Sequence, residues 1–202
     1  MTNRITDISL RQAAIVAGVG LLLMTILAPF AEFSVRQSLI VPGDAATTAN
    51  NIMANELLFR IAICCYLIVA ILDVVVAWGL YVFLKPANKS LSLLAAWFRV
   101  VYAAILVMAV LNLVIALHLL SGADYLSAFE TDQLHALALL FLNAHEVGWS
   151  IGIVFFSLHV VLLGFLVYKS GYIPRILGVL LILASVAYLI DGLAILLVPG
   201  YE

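Results

Sequence analysis

The residues able to do chemistry in this sequence stand inside, or at the ends of, long apolar runs. Asp73, Arg99 and His159 are embedded in such runs, while Glu32, Arg60, Asn112, His145, Glu146 and Asp191 lie near their ends. A charged side chain at the centre of a bilayer costs about 2.5–3.5 kcal/mol even on a lenient insertion scale, so such groups need partners, water or a task. Asp73 and Arg99 carry opposite charge on stretches joined by the short connection around Lys85-Pro86. They are expected to form a buried ion pair, with His159 or Tyr102 as a further hydrogen-bond partner. Such a pair can hold two helices in register, or it can serve as an inner relay for protons or cations. The second set has three carboxylates to one arginine and is acidic unless burial protonates one of them. It can bind a cation, donate a proton, or form an interfacial hydrogen-bond network.

His118, His145, Glu146 and Asp191 are residue types that zinc accepts. No His-x-x-x-His or His-Glu-x-x-His spacing is present, and adjacent His145 and Glu146 point about 100° apart on a helix. The sequence therefore assigns no metal ligand and specifies no cofactor. No serine sits in a glycine-flanked turn fit for a nucleophile, and neither a Walker loop nor a dinucleotide fingerprint occurs. His118 and His159 fall at different depths, which excludes them as a haem pair. Adjacent Cys64 and Cys65 lie within an apolar run and read as packing residues.

The elements that must position these residues follow from composition. Of 202 residues, 66% are hydrophobic and 10% charged, with a mean hydropathy of +1.24. Soluble domains are about 45–50% apolar and about 25% charged, so lipid is the solvent this surface fits. The net charge of −2 is spread without a basic run, which argues against nucleic acid as a partner. The first apolar stretch runs past the length of a signal-peptide core and reads as a retained span. A helix needs about 20 apolar residues to cross the roughly 30 Å hydrocarbon core, and backbone groups in lipid must be satisfied within the segment. The expected fold is therefore all-α: a polytopic membrane bundle of five transmembrane helices, over residues 11–32, 56–84, 90–120, 145–169 and 173–198 of a single transmembrane domain.

Turn chemistry separates these spans. Lys85-Pro86 stops one helix and Asn88 or Ser90 can cap the next; Gly171 suits a helix C-terminus and Pro174 the first turn that follows. Two longer loops are expected, 33–55 and 121–144. In the first, Val41-Pro42-Gly43-Asp44 reads as a turn, with Asp44 able to cap a short surface helix toward Asn55. The apolar run after Thr131 would be about 55 Å long if helical through to Tyr168, so a break is expected near Asn143–Gly148. Residues 131–144 would then form an extra surface or re-entrant helix. Arg4, Arg11, Lys85, Lys89, Lys169 and Arg175 all fall on one side, which the positive-inside rule makes cytoplasmic. The N-terminus is then cytoplasmic and Glu202 outside.

Small and polar residues at helical spacing mark inward faces. The expected faces are Ala14, Gly18, Thr25, Ala28 and Glu32; Ala62, Tyr66, Ala70, Asp73 and Ala77; His145, Gly148, Gly152 and His159, with Glu146, Ser150, Ser157 and Gly164 adjacent; and Ala184, Ala187, Tyr188, Asp191 and Ala194. At about 1.5 Å per residue, Asp73, Arg99 and His159 share a depth of about 14–18 Å from the cytoplasmic side. Glu32, Arg60, Asn112, His145, Glu146 and Asp191 lie about 27–37 Å deep by the same measure.

Several motifs carry a resemblance. Leu39-Ile40-Val41-Pro42-Gly43-Asp44, Ala49-Asn50-Asn51-Ile52 and Asn55-Glu56 with Phe59-Arg60 are among them. So are Leu84-Lys85-Pro86-Ala87-Asn88-Lys89, Lys169-Ser170-Gly171-Tyr172-Ile173-Pro174-Arg175-Ile176-Leu177-Gly178 and Tyr188-Leu189-Ile190-Asp191. Over nearly the whole chain the sequence resembles the bacterial membrane family called domain of unknown function 4386. The resemblance implies membrane residence and a bacterial source, hence the inner (cytoplasmic) membrane, and carries no activity. The residues themselves point first to an outward-facing polar cavity for a lipid or small amphiphile, with membrane lipids as partners. An intramembrane hydrolase acting on a lipid, metal-dependent or using His145 with Glu146 or Asp191, is the second reading. A proton- or cation-coupled transporter using Asp73, Arg99 and His159 is the third.

Overall fold

The computed structural model describes residues 8–198, so Arg4 and Glu202 of the orientation argument lie outside the described residues. Helix α1 covers Leu10–Leu39, α2 Ala45–Ala54, α3 Glu56–Leu84, α4 Lys89–Leu119, α5 Thr131–Ser170 and α6 Arg175–Leu197. All but α2 are long and apolar enough to cross a membrane, five in number. No strand occurs among the described residues.

Local chemistry sets the ends. Ser9 and Gln12 form a capping box at the start of α1. The Asp44 carboxylate accepts from the Thr47 amide, 2.9 Å, and starts α2. That amide and the Thr47 hydroxyl hold the Asp44 carboxyl below its ordinary range. Asn88 accepts from the Leu91 amide, 3.0 Å, to cap α4. Gly171, at φ 76°, closes α5 in the left-handed region, where a Cβ is disfavoured. Pro174 stands one position before α6.

The spanning helices pack as a row in which each leans mainly on its sequence neighbours. Ala13 and Ala17 meet Gly79, and Gly20 meets Val76, so the start of α1 lies against the end of α3. Leu84, Ala95, Leu166 and Val167 form one cluster, which places the α3–α4 and α5–α6 connections at the same end. Arg11, Lys85, Lys89, Lys169 and Arg175 gather there, and it is called the basic end below. The opposite, loop end carries α2 and a 3-10 turn at Asp124–Leu126.

Three expectations are corrected. The first span does not end near residue 32: Pro29 sits inside α1, and a π-helical segment, Phe30–Arg36, carries the helix on to Leu39. Pro29 has no N–H to give, the Phe30 N–H is shared between the Ile26 and Leu27 carbonyls, and the widened turn absorbs the change of register. Second, α5 is continuous through Asn143–Gly148, so 131–144 is its first part and not a separate surface or re-entrant helix. At roughly 60 Å it extends beyond the hydrocarbon at the loop end. There Ala138 and Leu142 are buried in the same core as Ala49 and Ile52 of α2 and Val35 and Leu39 of α1. One face of the overhang is thus covered by protein.

Third, two inward faces are rotated from those expected. The buried residues of α1 before Pro29 are Ala13, Ala17 and Gly20, while Thr25 is exposed and bonds its own helix at the Leu21 carbonyl. On α6 they are Gly178, Ser185 and Gly192, which leaves Tyr188 and Asp191 exposed. On α3, Ala62, Tyr66, Ala70, Asp73 and Ala77 are all buried.

Candidate functional site

Two polar sites and one pocket emerge from this packing. The first site lies at mid-depth, where α3, α4 and α5 meet. Asp73 is 0%, Arg99 3% and His159 1% exposed. Arg99 Nη2 stands 2.7 Å from Asp73 Oδ1. Arg99 Nη1 lies 3.2 Å from His159 Nε2, and His159 Nδ1 lies 2.8 Å from the Ala95 carbonyl. A carbonyl can only accept, so Nδ1 carries the proton and Nε2 accepts from Arg99. The imidazole is thereby neutral, because a second proton would face the guanidinium. Arg99 also stacks over Phe156, 5.6 Å from the ring centre. The structure brings the three residues of the inner set together.

The second site lies at the loop end and centres on a residue the sequence reading had left in a loop. Arg36, its side chain 10% exposed, contacts Glu32 at 2.6 Å and Glu146 at 2.7 Å. The Tyr66 hydroxyl donates to Glu32 at 2.6 Å, and Gln37 donates to the same carboxylate at 3.0 Å. One guanidinium thus ties the end of α1 to α5, and Tyr66 adds α3. The signal for Arg36 was the Glu32/Arg36 spacing of four, which counts only if the helix continues past Ser34. His145 is buried beside this site, its ring 5.6 Å from that of Tyr66 and 6.4 Å from Trp149.

Arg60 and Asn112 of the outer set do not join this cluster. Arg60 is exposed and pairs with Glu56 one turn away, at 2.7 Å. Asn112 donates to the Met108 and Ala109 carbonyls of its own helix. Asp191 is exposed on α6. Among the described residues, no group of three or more His, Cys, Asp or Glu side chains is placed to hold a metal ion. The arrangement thus gives the metal-dependent reading no ligand set.

The pocket lies elsewhere. A hollow of about 360 Å³ opens at the loop end between α4 and the 3-10 turn, lined by Val114, Ile115, His118, Leu119, Tyr125 and Leu126. Its lining is apolar apart from two exposed groups, His118 and Tyr125. His118 Nδ1 lies 2.8 Å from the Val114 carbonyl and so must donate to it, leaving Nε2 free to accept. No residue of the outer set lines this hollow. The Glu32–Arg36–Glu146 cluster is closed by its own ion pairs.

This geometry can be set beside known proteins. No solved structure matches the chain. A protein of Archaeoglobus fulgidus, described as an uncharacterized protein, is 39% identical over 126 residues, covering 62% of this chain and 62% of the relative. The chain thus spans less than two thirds of that relative's length. The model of the family described as a domain of unknown function, DUF4386, matches residues 16–202, nearly the whole chain, so the protein belongs to the DUF4386 family.

Proposed function

We propose that this multi-pass membrane protein is a binding protein for a lipid or other small amphiphile, taken up at its loop end. The observation that carries the reading is the pocket of about 360 Å³, apolar along α4 with His118 and Tyr125 beside it. Ligand sites are mostly apolar hollows of about 300–1,000 Å³ with a few polar groups that fix orientation. Val114 is 25 positions from the start of α4, about 38 Å from the basic end, a length that supports uptake near the polar boundary of the bilayer. The apolar part of a guest would lie along Val114, Ile115, Leu119 and Leu126. A hydroxyl or amide of its head group would donate to His118 Nε2. The Arg36 cluster is then the latch that fixes α1 to α5, and the protein resides in the cytoplasmic membrane with its loop end outside.

The test is titration of the detergent-purified protein with a dansyl-labelled single-chain amphiphile, read by fluorescence and by native mass spectrometry. Saturable one-to-one binding is expected. Leu119→Trp, which fills the pocket, should weaken it at least about tenfold, a loss of about 1.4 kcal/mol. Leu22→Trp, on the exposed side of α1, should leave it unchanged. Binding lost in Glu146→Gln but kept in Leu119→Trp would move the site to the ion-pair cluster, and non-saturable uptake would end the binding reading.

A further inference from the structure

The mid-depth site has an unfinished hydrogen-bond inventory. Arg99 offers five N–H donors and the Asp73 carboxylate about four acceptor positions. One Nη1 proton goes to His159, and Nη2 reaches the Met24 sulfur at 3.9 Å, a weak acceptor. Arg99 Nη2 engages Asp73 Oδ1 at 2.7 Å, while Asp73 Oδ2 and Arg99 Nε have no hydrogen-bond partner. His159 is satisfied at both nitrogens. The unmet groups are therefore one donor and one acceptor atom, both on side chains at most 3% exposed.

Buried polar groups in folded proteins are paired with protein or ordered water in the great majority of cases. The penalty for leaving one unpaired, about 1–3 kcal/mol or more for a charged group, is not relieved by lipid, which offers no hydrogen bonds. The charges decide which guest fits. Asp73 and Arg99 cancel and His159 is neutral, so an added cation would be repelled by the guanidinium and an added anion by the carboxylate. The guest must be small and uncharged, and must both donate and accept. Water meets all three requirements, with a donor for Asp73 Oδ2 and a lone pair for Arg99 Nε.

We propose that the Asp73–Arg99–His159 cluster is a binding site for internal water at mid-depth in the membrane. Arg99 lies ten positions into α4, about 15 Å from the basic end and so near the middle of the roughly 30 Å core. The ion pair is thus a hydrated one. This proposal stands apart from the amphiphile pocket, which lies at the other end of α4.

Radiolytic hydroxyl-radical labelling of the protein in lipid nanodiscs tests it. Radicals formed from a bound water attack the side chains beside it, even where bulk water does not reach. Met24 and His159 should be oxidised several-fold faster than in the Asp73→Leu/Arg99→Leu double variant, which replaces the pair by apolar side chains. Met108, exposed on α4 away from the cluster, should react equally in both. Equal labelling of Met24 and His159 in the two proteins would overturn the proposal. Should the double variant not fold, an experimental map of the wild-type protein that shows ordered water decides. Density within hydrogen-bond reach of Arg99 Nε or an Asp73 oxygen supports the site, and none at either place overturns it.

Discussion

Two arginines near the loop end show how little residue type alone decides. Arg36 and Arg60 each sit four positions from a glutamate, and both form ion pairs of 2.6–2.7 Å with it. Arg60 and Glu56 are roughly half exposed, and such pairs contribute about 0–1 kcal/mol. Arg36 is nearly buried, serves a second carboxylate on another helix, and neutralises a Glu32 already committed to Tyr66. Arg36→Met keeps the apolar stem but removes the charge and leaves Glu32 with an uncompensated one. It should destabilise by about 3 kcal/mol, the lower end of the range for breaking a buried pair, because the half-exposed Glu146 can turn to solvent. Arg60→Ala should change stability by no more than about 0.5 kcal/mol. Reversible unfolding in bicelles measures both, and equal losses would sink the hub. The sequence shows why one pairing was legible and the other was not. Asp73 and Arg99 were predictable partners because opposite charges deep in adjacent spans have few alternatives. Arg36 was hidden because Ser34, Gln37 and Ser38 look like a loop, and the helix end, which decides whether Glu32 and Arg36 share a face, depended on the π segment after Pro29.

Among the elements, α5 and α6 approach backbone to backbone at Gly164 and Gly178. A Cβ on Gly164 would come within 2.7 Å of the Gly178 carbonyl, and one on Gly178 within 2.6 Å of the Gly164 carbonyl. Backbone meets backbone there, as at the small-residue crossings that drive helix association in lipid. Gly164→Ala must push the helices apart and should destabilise by about 1–3 kcal/mol, the usual range for overpacking. Gly18→Ala meets nothing within 4 Å and should be neutral or slightly stabilising, since alanine is the better helix former. Thermal unfolding of the two variants checks this, and matching shifts would mean the crossing does not hold the pair. The sequence marked such crossings only coarsely. Gly164 stood beside a recognised stripe, but the face of α6 was misread because its alanines and Asp191 outnumber Gly178, Ser185 and Gly192. In lipid, composition separates packing faces weakly, and three small residues seven apart suffice. The break expected in α5 failed for a different reason. Length was compared with the bilayer alone, whereas α2 covers one face of the overhanging turns.

The whole molecule is a row of spanning helices with asymmetric ends. Only 17% of α1 and 11% of α6, over their most apolar windows, are buried within the chain, because each leans mainly on one spanning neighbour. Lipid covers the rest, so insertion depends on apolarity and orientation on charge. At the basic end, Lys169 lies over Phe165 and Arg175 over Tyr168, at 5.9 and 5.6 Å, which fixes cations at the level of the α5–α6 turn. Arg11, Lys85 and Lys89 share that end, while the loop end shows Arg36 and Arg60 already paired with carboxylates. Free basic residues near short connections resist translocation, so the basic end should face the cytoplasm. With an odd number of spans the C-terminus then faces outward. A fluorescent protein fused to the C-terminus in a bacterial host should stay dark, and an alkaline phosphatase fused there should be active. Replacing Lys85, Lys89, Lys169 and Arg175 by glutamine removes most of the bias and should let a measurable share of the fluorescent fusion light up. A bright C-terminal fusion in the unaltered protein would reverse the topology, turn the pocket beside His118 toward the cytoplasm, and require any amphiphile to arrive from the inner leaflet.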